Sequence, residues 1–315
     1  MYMKPSPWSL ALVLLLLAGG AACRKPKTKP DPLAGGVTAA ELLTKGEAEV
    51  KKGRMEDGRK QLRVIEEQLP STPEFPKAKL LLADSFFFAG SPSYPEALVE
   101  YQSFMNLFPR HEMRDYALYR VALCHYASIE TAERDQAETR RALETFQQLI
   151  RESPGSLNIT DAKSKVIQCW RRLAEHELMV GIFYVNSFHF GGAEKRLKEL
   201  LETYPEYVDR ERAYYYLGEA MRRKYVPQDV IVTWEKGQLA KLGKEPGVKL
   251  EGAEKTSFQK EFELFSKKET ARYREEAKTF YQKLVESYPG SAWAARAKDR
   301  LVEMGQGGIK EELDS

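Results

Sequence analysis

The sequence predicts an all-α protein, an α-solenoid of about five helix pairs closed by a C-terminal helix. Three observations carry this. A small residue is followed four positions on by a large apolar or aromatic residue, at seven by another apolar residue, and at twelve by proline. The copies begin and end at Gly58 and Pro70, Ala97 and Pro109, Ala142 and Pro154, Ala193 and Pro205, and Ala277 and Pro289. These offsets fall on one face of a helix with 3.6 residues per turn, and proline stops that helix because it lacks an N–H and clashes with the preceding turn. From Val37 onward no stretch shows the period-two alternation of a strand.

The elements follow in order. The first pair spans about Thr38–Lys52 and Met55–Leu69, joined at Gly53, with Gly58, Leu62, Ile65 and Leu69 along its second helix. The second pair has Ala78, Leu81, Leu82, Ser85 and Phe86 at helical spacing over Pro76–Gly90. After Ser91-Pro92-Ser93 comes the clearest copy, Ala97, Tyr101, Phe104, Met105, Phe108, Pro109. Phe86, Phe87 and Phe88 are consecutive, so they cannot share a face. The third pair begins at Glu112–Ser128 and is lengthened by the polar insert Ile129–Glu138 before Ala142, Phe146, Leu149 and Ile150. The fourth runs over a long first helix, Ile159–Phe188, to a turn read at Gly191-Gly192, then Ala193, Leu197, Leu200, Leu201 and Tyr204. The fifth opens with Arg210–Tyr225, is interrupted by Pro227, and closes with Ala277, Tyr281, Leu284, Val285 and Tyr288. Ala292–Met304 ends the array.

Paired helices with alanine and large aromatics as holes and knobs, and proline closing the second helix, are the signature of tetratricopeptide repeats. The predicted organisation is a signal peptide over 1–22, a lipid-anchored flexible tether over 23–36, repeats one to four plus the first helix of repeat five over 37–225, an insertion over 226–268, the last repeat helices over 269–305, and a disordered tail over 306–315. The insertion carries an apolar run, Val230–Trp234, and an amphipathic stretch with Phe258, Phe262 and Phe265; a helical hairpin is the arrangement that pattern allows.

The N-terminus reads as an export signal. Lys4 is followed by the apolar run Leu10–Leu17 and the small residues Ala18–Ala22. That run is shorter than the ~20 residues needed to span a bilayer. Cys23 directly after AGGAA resembles a bacterial lipobox, with Gly20 where leucine is usual; ordinary cleavage after Ala22 is the competing reading. A lone cysteine at a mature N-terminus favours acylation, with diacylglycerol and palmitate-type chains as the anchor. Arg24–Gly36 has three prolines, four basic residues and no apolar period, the composition of a semi-extended tether. Cys124 and Cys169 sit in apolar helical patterns, as two buried thiols or as a disulfide.

Composition excludes several classes. The chain is 43% hydrophobic and 30% charged, with 49 Lys and Arg against 46 Asp and Glu, giving net charge +3. Beyond the tether the signs alternate and no basic face collects, so no nucleic-acid partner is expected. His111, His125, His176 and His189 are scattered, and no metal-ligand spacing, nucleophile motif or phosphate-binding glycine loop occurs. No catalytic residue, metal or cofactor is expected. Solenoid repeats bind extended peptides or helices in a concave groove, so the protein reads as an adaptor and not an enzyme.

Four segments carry a closer resemblance: Phe104–His111 (FMNLFPRH), Asp115–Leu123 (DYALYRVAL), Arg134–Ser156, and Trp170–Leu197 with its run HE…FY…A..R. They are similar to the BamD family (ComL-like), the tetratricopeptide lipoproteins of the outer-membrane β-barrel assembly machinery. The resemblance covers roughly Val37–Tyr225 and loosely the last helix pair; the insertion departs from it. It implies an outer-membrane lipoprotein facing the periplasm. Its partners would be the barrel insertase, other lipoproteins of the complex, and the unfolded C-terminal strands of client barrels. Arg196, at the matching A..R position, is then a candidate insertase contact, and the surface around Phe87, Tyr94 and Tyr119 a candidate client site; both readings compete with ordinary solvated or packing roles. A different periplasmic tetratricopeptide adaptor, coordinating envelope or peptidoglycan proteins, is the alternative. The lack of sustained heptads before Thr38 counts against it.

Overall fold

The computed structural model describes residues 36–207 and 209–313. The predicted signal peptide, Cys23 and the tether up to residue 35 lie outside the described residues. The described chain is built from α-helices and their connections, and no strand occurs among the described residues. It divides into two compact units after Ala78.

The first unit holds α1 (Ala39–Lys51) and α2 (Met55–Gln68). Thr38 opens α1 with a capping box: its hydroxyl accepts from the Glu41 N–H, and the Glu41 carboxylate accepts from the Thr38 N–H, both at 3.3 Å. Gly53, at φ +78°, makes the turn. Leu42, Leu62 and Ile65 fill the interface. The boundary falls within α3 (Phe75–Phe87).

The second unit continues after a 3-10 turn at Ser91–Ser93 with α4 (Tyr94–Leu107), α5 (Arg114–Ala127), α6 (Ala137–Glu152), α7 (Ile159–Asn186), α8 (Phe190–Thr203) and α9 (Arg210–Arg223). From α4 to α9 each helix packs on the next. The stack then skips α10 (Gln228–Lys241): α9 packs against α11 (Gly252–Ser287), and α11 against α12 (Ala292–Leu313). All five small residues of the repeated pattern are buried. Tyr101, Phe146, Leu197 and Tyr281, each four residues on, are fully buried. The predicted core face is therefore the real one. Cys124 and Cys169 are buried free thiols, and burial pushes them up to about 12 and about 11.

A second small residue completes three of these contacts. Gly46, Gly181 and Gly218 lie where the large residue of the partner helix arrives. A Cβ on Gly218 would stand 2.5 Å from Tyr281 Cε1 and 2.7 Å from its Cζ; one on Gly181 would stand 2.5 Å from Leu197 Cδ2. The Tyr281 ring is locked on all sides, so the added methyl has nowhere to go. Gly218→Ala is expected to destabilise by about 1–2 kcal/mol, overpacking outweighing the gain of ~1 kcal/mol in helix propensity. Faster hydrogen exchange of the α9 and α11 amides would show it; slower exchange would contradict it.

Three boundaries differ from the sequence reading. The 36-residue α11 runs unbroken through position 268, where the insertion was expected to end. Its charged, aromatic-bearing first half and the last repeat helix share one helical register with no intervening proline or glycine. The insertion is thus α10 plus the start of α11, bridged by Trp234 against Phe258, Phe262 and Phe265 at ring distances of 5.1, 5.4 and 5.1 Å. At the C-terminus, α12 continues to Leu313, past the expected end at 305.

The third difference is the turn between α7 and α8. It lies not at Gly191-Gly192, which fall inside α8, but at Ser187–His189. The His189 N–H donates to the Tyr184 carbonyl at 2.8 Å and the Phe188 N–H to the Val185 carbonyl at 3.3 Å. This is the Schellman arrangement, and Phe188 occupies its left-handed position at φ +62°. Gly192 instead allows the close approach of Tyr184, since a Cβ there would lie 3.1 Å from its ring.

Candidate interaction surface

The side chains that the repeats do not spend on packing form three features in the second unit. The first surrounds Asp84 on α3. It is buried, and accepts from the Tyr101 hydroxyl of α4 at 2.5 Å and the Tyr116 hydroxyl of α5 at 2.9 Å. Arg120, one turn beyond Tyr116, donates from Nε to the Tyr116 oxygen at 2.8 Å and lies 3.8 Å from the Asp84 carboxylate. Burial raises the Asp84 carboxyl above its ordinary value, against the pull of Tyr101 and Arg120. Burial, with Asp84 second, pushes Tyr116 up to about 12. The network therefore ties three helices together through neutral hydroxyls and one buried carboxylate.

Arg120 then turns outward. Its guanidinium lies 4.8 Å from the Phe87 ring centre and 4.9 Å from that of Phe88. Phe87 is 5.5 Å from Tyr94 and 5.6 Å from Phe88. Phe87 and Tyr94 are half-buried, while Phe88 is exposed. Two of the three predicted client-site residues are thus brought together, with Arg120 and Phe88 joining them. Tyr119 is not part of this group. Its hydroxyl donates to Asp161 of α7 at 2.8 Å, and its ring packs 6.2 Å from Phe146 of α6. Consecutive helical positions point about 100° apart, so Tyr119 and Arg120 serve different neighbours.

The second feature is Arg196 on α8. Its Nη1 donates to both carboxylate oxygens of Glu177 on α7, at 2.9 and 3.2 Å, and Glu177 is buried. The arginine predicted as a partner contact therefore already answers a carboxylate of its own chain. An insertase carboxylate would have to share or displace it.

The third is a groove across α7. Ile167 and Trp170, half exposed, face Tyr204, Pro205 and Tyr207 beyond α8 and line a cavity of about 560 Å³. Arg171 lines both this cavity and a neighbouring one of about 350 Å³ between Tyr126 of α5 and Arg172 and Glu175 of α7. Apolar walls with a few polar groups suit a peptide segment. The described residues hold no group of three or more His, Cys, Asp or Glu able to bind a metal ion, and none of their helices is long and apolar enough to cross a membrane.

A counterpart of the Asp84 network lies at the other end of the stack. Glu219 of α9 is buried and accepts from Tyr281 at 2.7 Å, Arg222 at 2.9 Å and Arg300 Nε at 2.9 Å. Burial alone would raise its carboxyl; the hydrogen bonds of Arg222 and Tyr281, with the charges of Arg222 and Arg300, hold it below its ordinary value. Asp84 and Glu219 flank the small positions Ser85 and Gly218, and each meets the aromatic four residues into the pattern. Sequence reasoning missed both. The signal was there, in a carboxylate beside each small residue whose facing partner carries a tyrosine hydroxyl.

Against known proteins, a model of the YfiO outer-membrane lipoprotein family matches residues 36–230. The chain belongs to this family. The YfiO match runs from the start of α1 into α10 and so stops as the insertion begins. A tetratricopeptide-repeat model matches residues 274–291, within α11 and the turn after it. Among the relatives of this chain are proteins that bear the name outer membrane protein assembly factor BamD. That of Caulobacter vibrioides is 26% identical over 67% of this chain and 69% of its own. That of Rickettsia prowazekii is 29% identical over 67% and 82%. That of Vibrio cholerae is 26% identical over 65% and 85%. The family resemblance carried by the four sequence segments is therefore the right one, and the fold is a tetratricopeptide-type helical solenoid.

Proposed function

We propose that this chain is a non-enzymatic scaffold for the assembly of β-barrel proteins, held on the periplasmic face of the outer membrane by lipid on Cys23. The observation that carries the reading is the family match over residues 36–230, together with relatives named for outer-membrane protein assembly. In this reading the helical stack docks the barrel insertase and other lipoproteins of the complex, with Arg196 near that contact, and receives extended client strands. The client surface is narrowed to Phe87, Phe88, Tyr94 and Arg120, which stand together, whereas Tyr119 is tied to Asp161. An aromatic group with Phe88 exposed and Phe87 and Tyr94 half-buried, stacked on a guanidinium, suits an extended strand with aromatic side chains.

Purification of the tagged chain from detergent-solubilised membranes is expected to bring down a large outer-membrane barrel with periplasmic domains. Recovery of only peptidoglycan-modifying or cell-constriction proteins would replace this reading with the alternative. Phe87→Ala combined with Phe88→Ala is expected to weaken binding of a labelled client-derived strand by about tenfold while leaving the insertase bound. Unchanged strand affinity in an anisotropy titration would remove that surface from the account.

A further inference from the structure

The turn between α7 and α8 carries a cost that packing does not explain. Phe188 sits at φ +62°, a left-handed position that glycine fills without strain and a bulky residue does not. Yet its side chain is 63% exposed. It is therefore not held there to fill a core. Phe190 stands 6.1 Å from it and Tyr225 a further 6.1 Å from Phe190, with Tyr225 65% exposed.

Arg223, the last residue of α9, lies over both phenylalanine rings at 5.1 Å from each centre. Among the described residues its guanidinium makes no hydrogen bond and no ion pair. Glu194, the carboxylate paired with the next residue Lys224, is also answered by Lys198, each at 2.7 Å. A guanidinium stacked on rings keeps its N–H edge for a planar, two-oxygen acceptor. Beside it lies a cavity of about 490 Å³ lined by Tyr184, His189, Phe190, Lys224, Tyr225 and Pro227. The exposed rings of Phe188 and Tyr225, with the buried Phe190 between them and an arginine stacked on two of the three, have the composition of a protein-binding surface.

We propose that Arg223, framed by Phe188, Phe190 and Tyr225, receives an acidic side chain of a partner protein, with an apolar neighbour of that acid entering the adjoining cavity. The contact rests on the scaffold reading in that it requires a protein partner, and it assigns a charge contact to Arg223, which is free, where Arg196 is engaged by Glu177. A single unpaired cation among aromatic rings favours protein over membrane, since anionic bilayers are held by clusters of about four to eight basic residues.

The test is photo-crosslinking in cells expressing the full chain, with p-benzoylphenylalanine at position 225. The expected adduct joins a protein, at a peptide carrying Asp or Glu within a few residues of the link. Arg223→Glu should cut the yield at least about tenfold, and converting that acid to arginine in the partner should restore it. Phe188→Gly should raise the unfolding midpoint while lowering the yield, a combination that a purely structural role would not produce. Where Arg223→Glu lowers the midpoint, Arg223→Lys carries the test and should lose yield several-fold with folding intact. An adduct with lipid alone, a peptide without an acid, a yield indifferent to Arg223, or failure of the charge swap would each overturn the contact. Its failure while depletion of the chain still lowers barrel proteins removes this contact only; failure of both removes the scaffold reading.

Discussion

Glu219→Ala is expected to cost about 3 kcal/mol of local stability. The carboxylate answers Tyr281, Arg222 and Arg300, and so fastens α9 to both α11 and α12. Its removal leaves a buried hydroxyl without its acceptor and takes from Arg222 its carboxylate, while Arg300 keeps Glu303 at 2.8 Å. Breaking a buried pair costs about 3–5 kcal/mol. Arg222 and Arg300 keep 29% and 32% of their side chains exposed, so water reaches them and the lower end applies. Tyr281→Phe, which leaves both ion pairs standing, should cost only about 1 kcal/mol. Because repeat arrays need not unfold in one step, the readout is hydrogen exchange of the α9, α11 and α12 amides. The pH dependence has a definite sign. The Glu219 carboxyl is held below its ordinary 4.5. Its contribution is therefore complete above pH 4.5 and is lost as pH falls through the lower folded-state value. Wild type and Glu219→Ala should converge in stability as pH drops below 4.5. A constant gap down to strongly acid pH would assign the loss to packing.

Cys23→Ala is expected to move the chain from the membrane pellet to the soluble fraction. Among the described residues no helix is long and apolar enough to cross a membrane. The apolar run Leu10–Leu17 is too short to span a bilayer, and the basic residues of Arg24–Gly36 number four. Each buried CH₂ of an acyl chain contributes about 0.8 kcal/mol, so one chain binds reversibly and two or more bind lastingly. The partition should therefore shift by orders of magnitude, with a small residual membrane fraction through the complex. Fractionation of the alanine variant with the outer membrane at wild-type level would refute the lipid anchor.

The repeated core was legible because packing geometry writes itself into spacing. A small residue, a large one at four and a stop at twelve recur where the second helix of each repeat seats against its neighbours, and all five small positions are buried. What escaped was contact between distant positions. Glu177 lies nineteen residues before Arg196, and a carboxylate inside a helix reads as solvated until the partner helix is placed beside it. Tyr119 and Phe87 are near in the repeat order, but α5 turns Arg120 toward Phe87 and the adjacent Tyr119 toward Asp161. Gly191-Gly192 drew the turn toward itself because glycine usually marks one; the fold uses Phe188 there and keeps Gly192 for the approach of Tyr184. Position 268 showed no break because none exists.

Depletion of the chain, followed by quantitative proteomics of the outer membrane, tests the central claim most directly. The account predicts that β-barrel proteins of different size and function fall together, several-fold, while lipoproteins and periplasmic enzymes hold their levels. Unchanged barrel proteins, with the losses confined to peptidoglycan or division proteins, would contradict it.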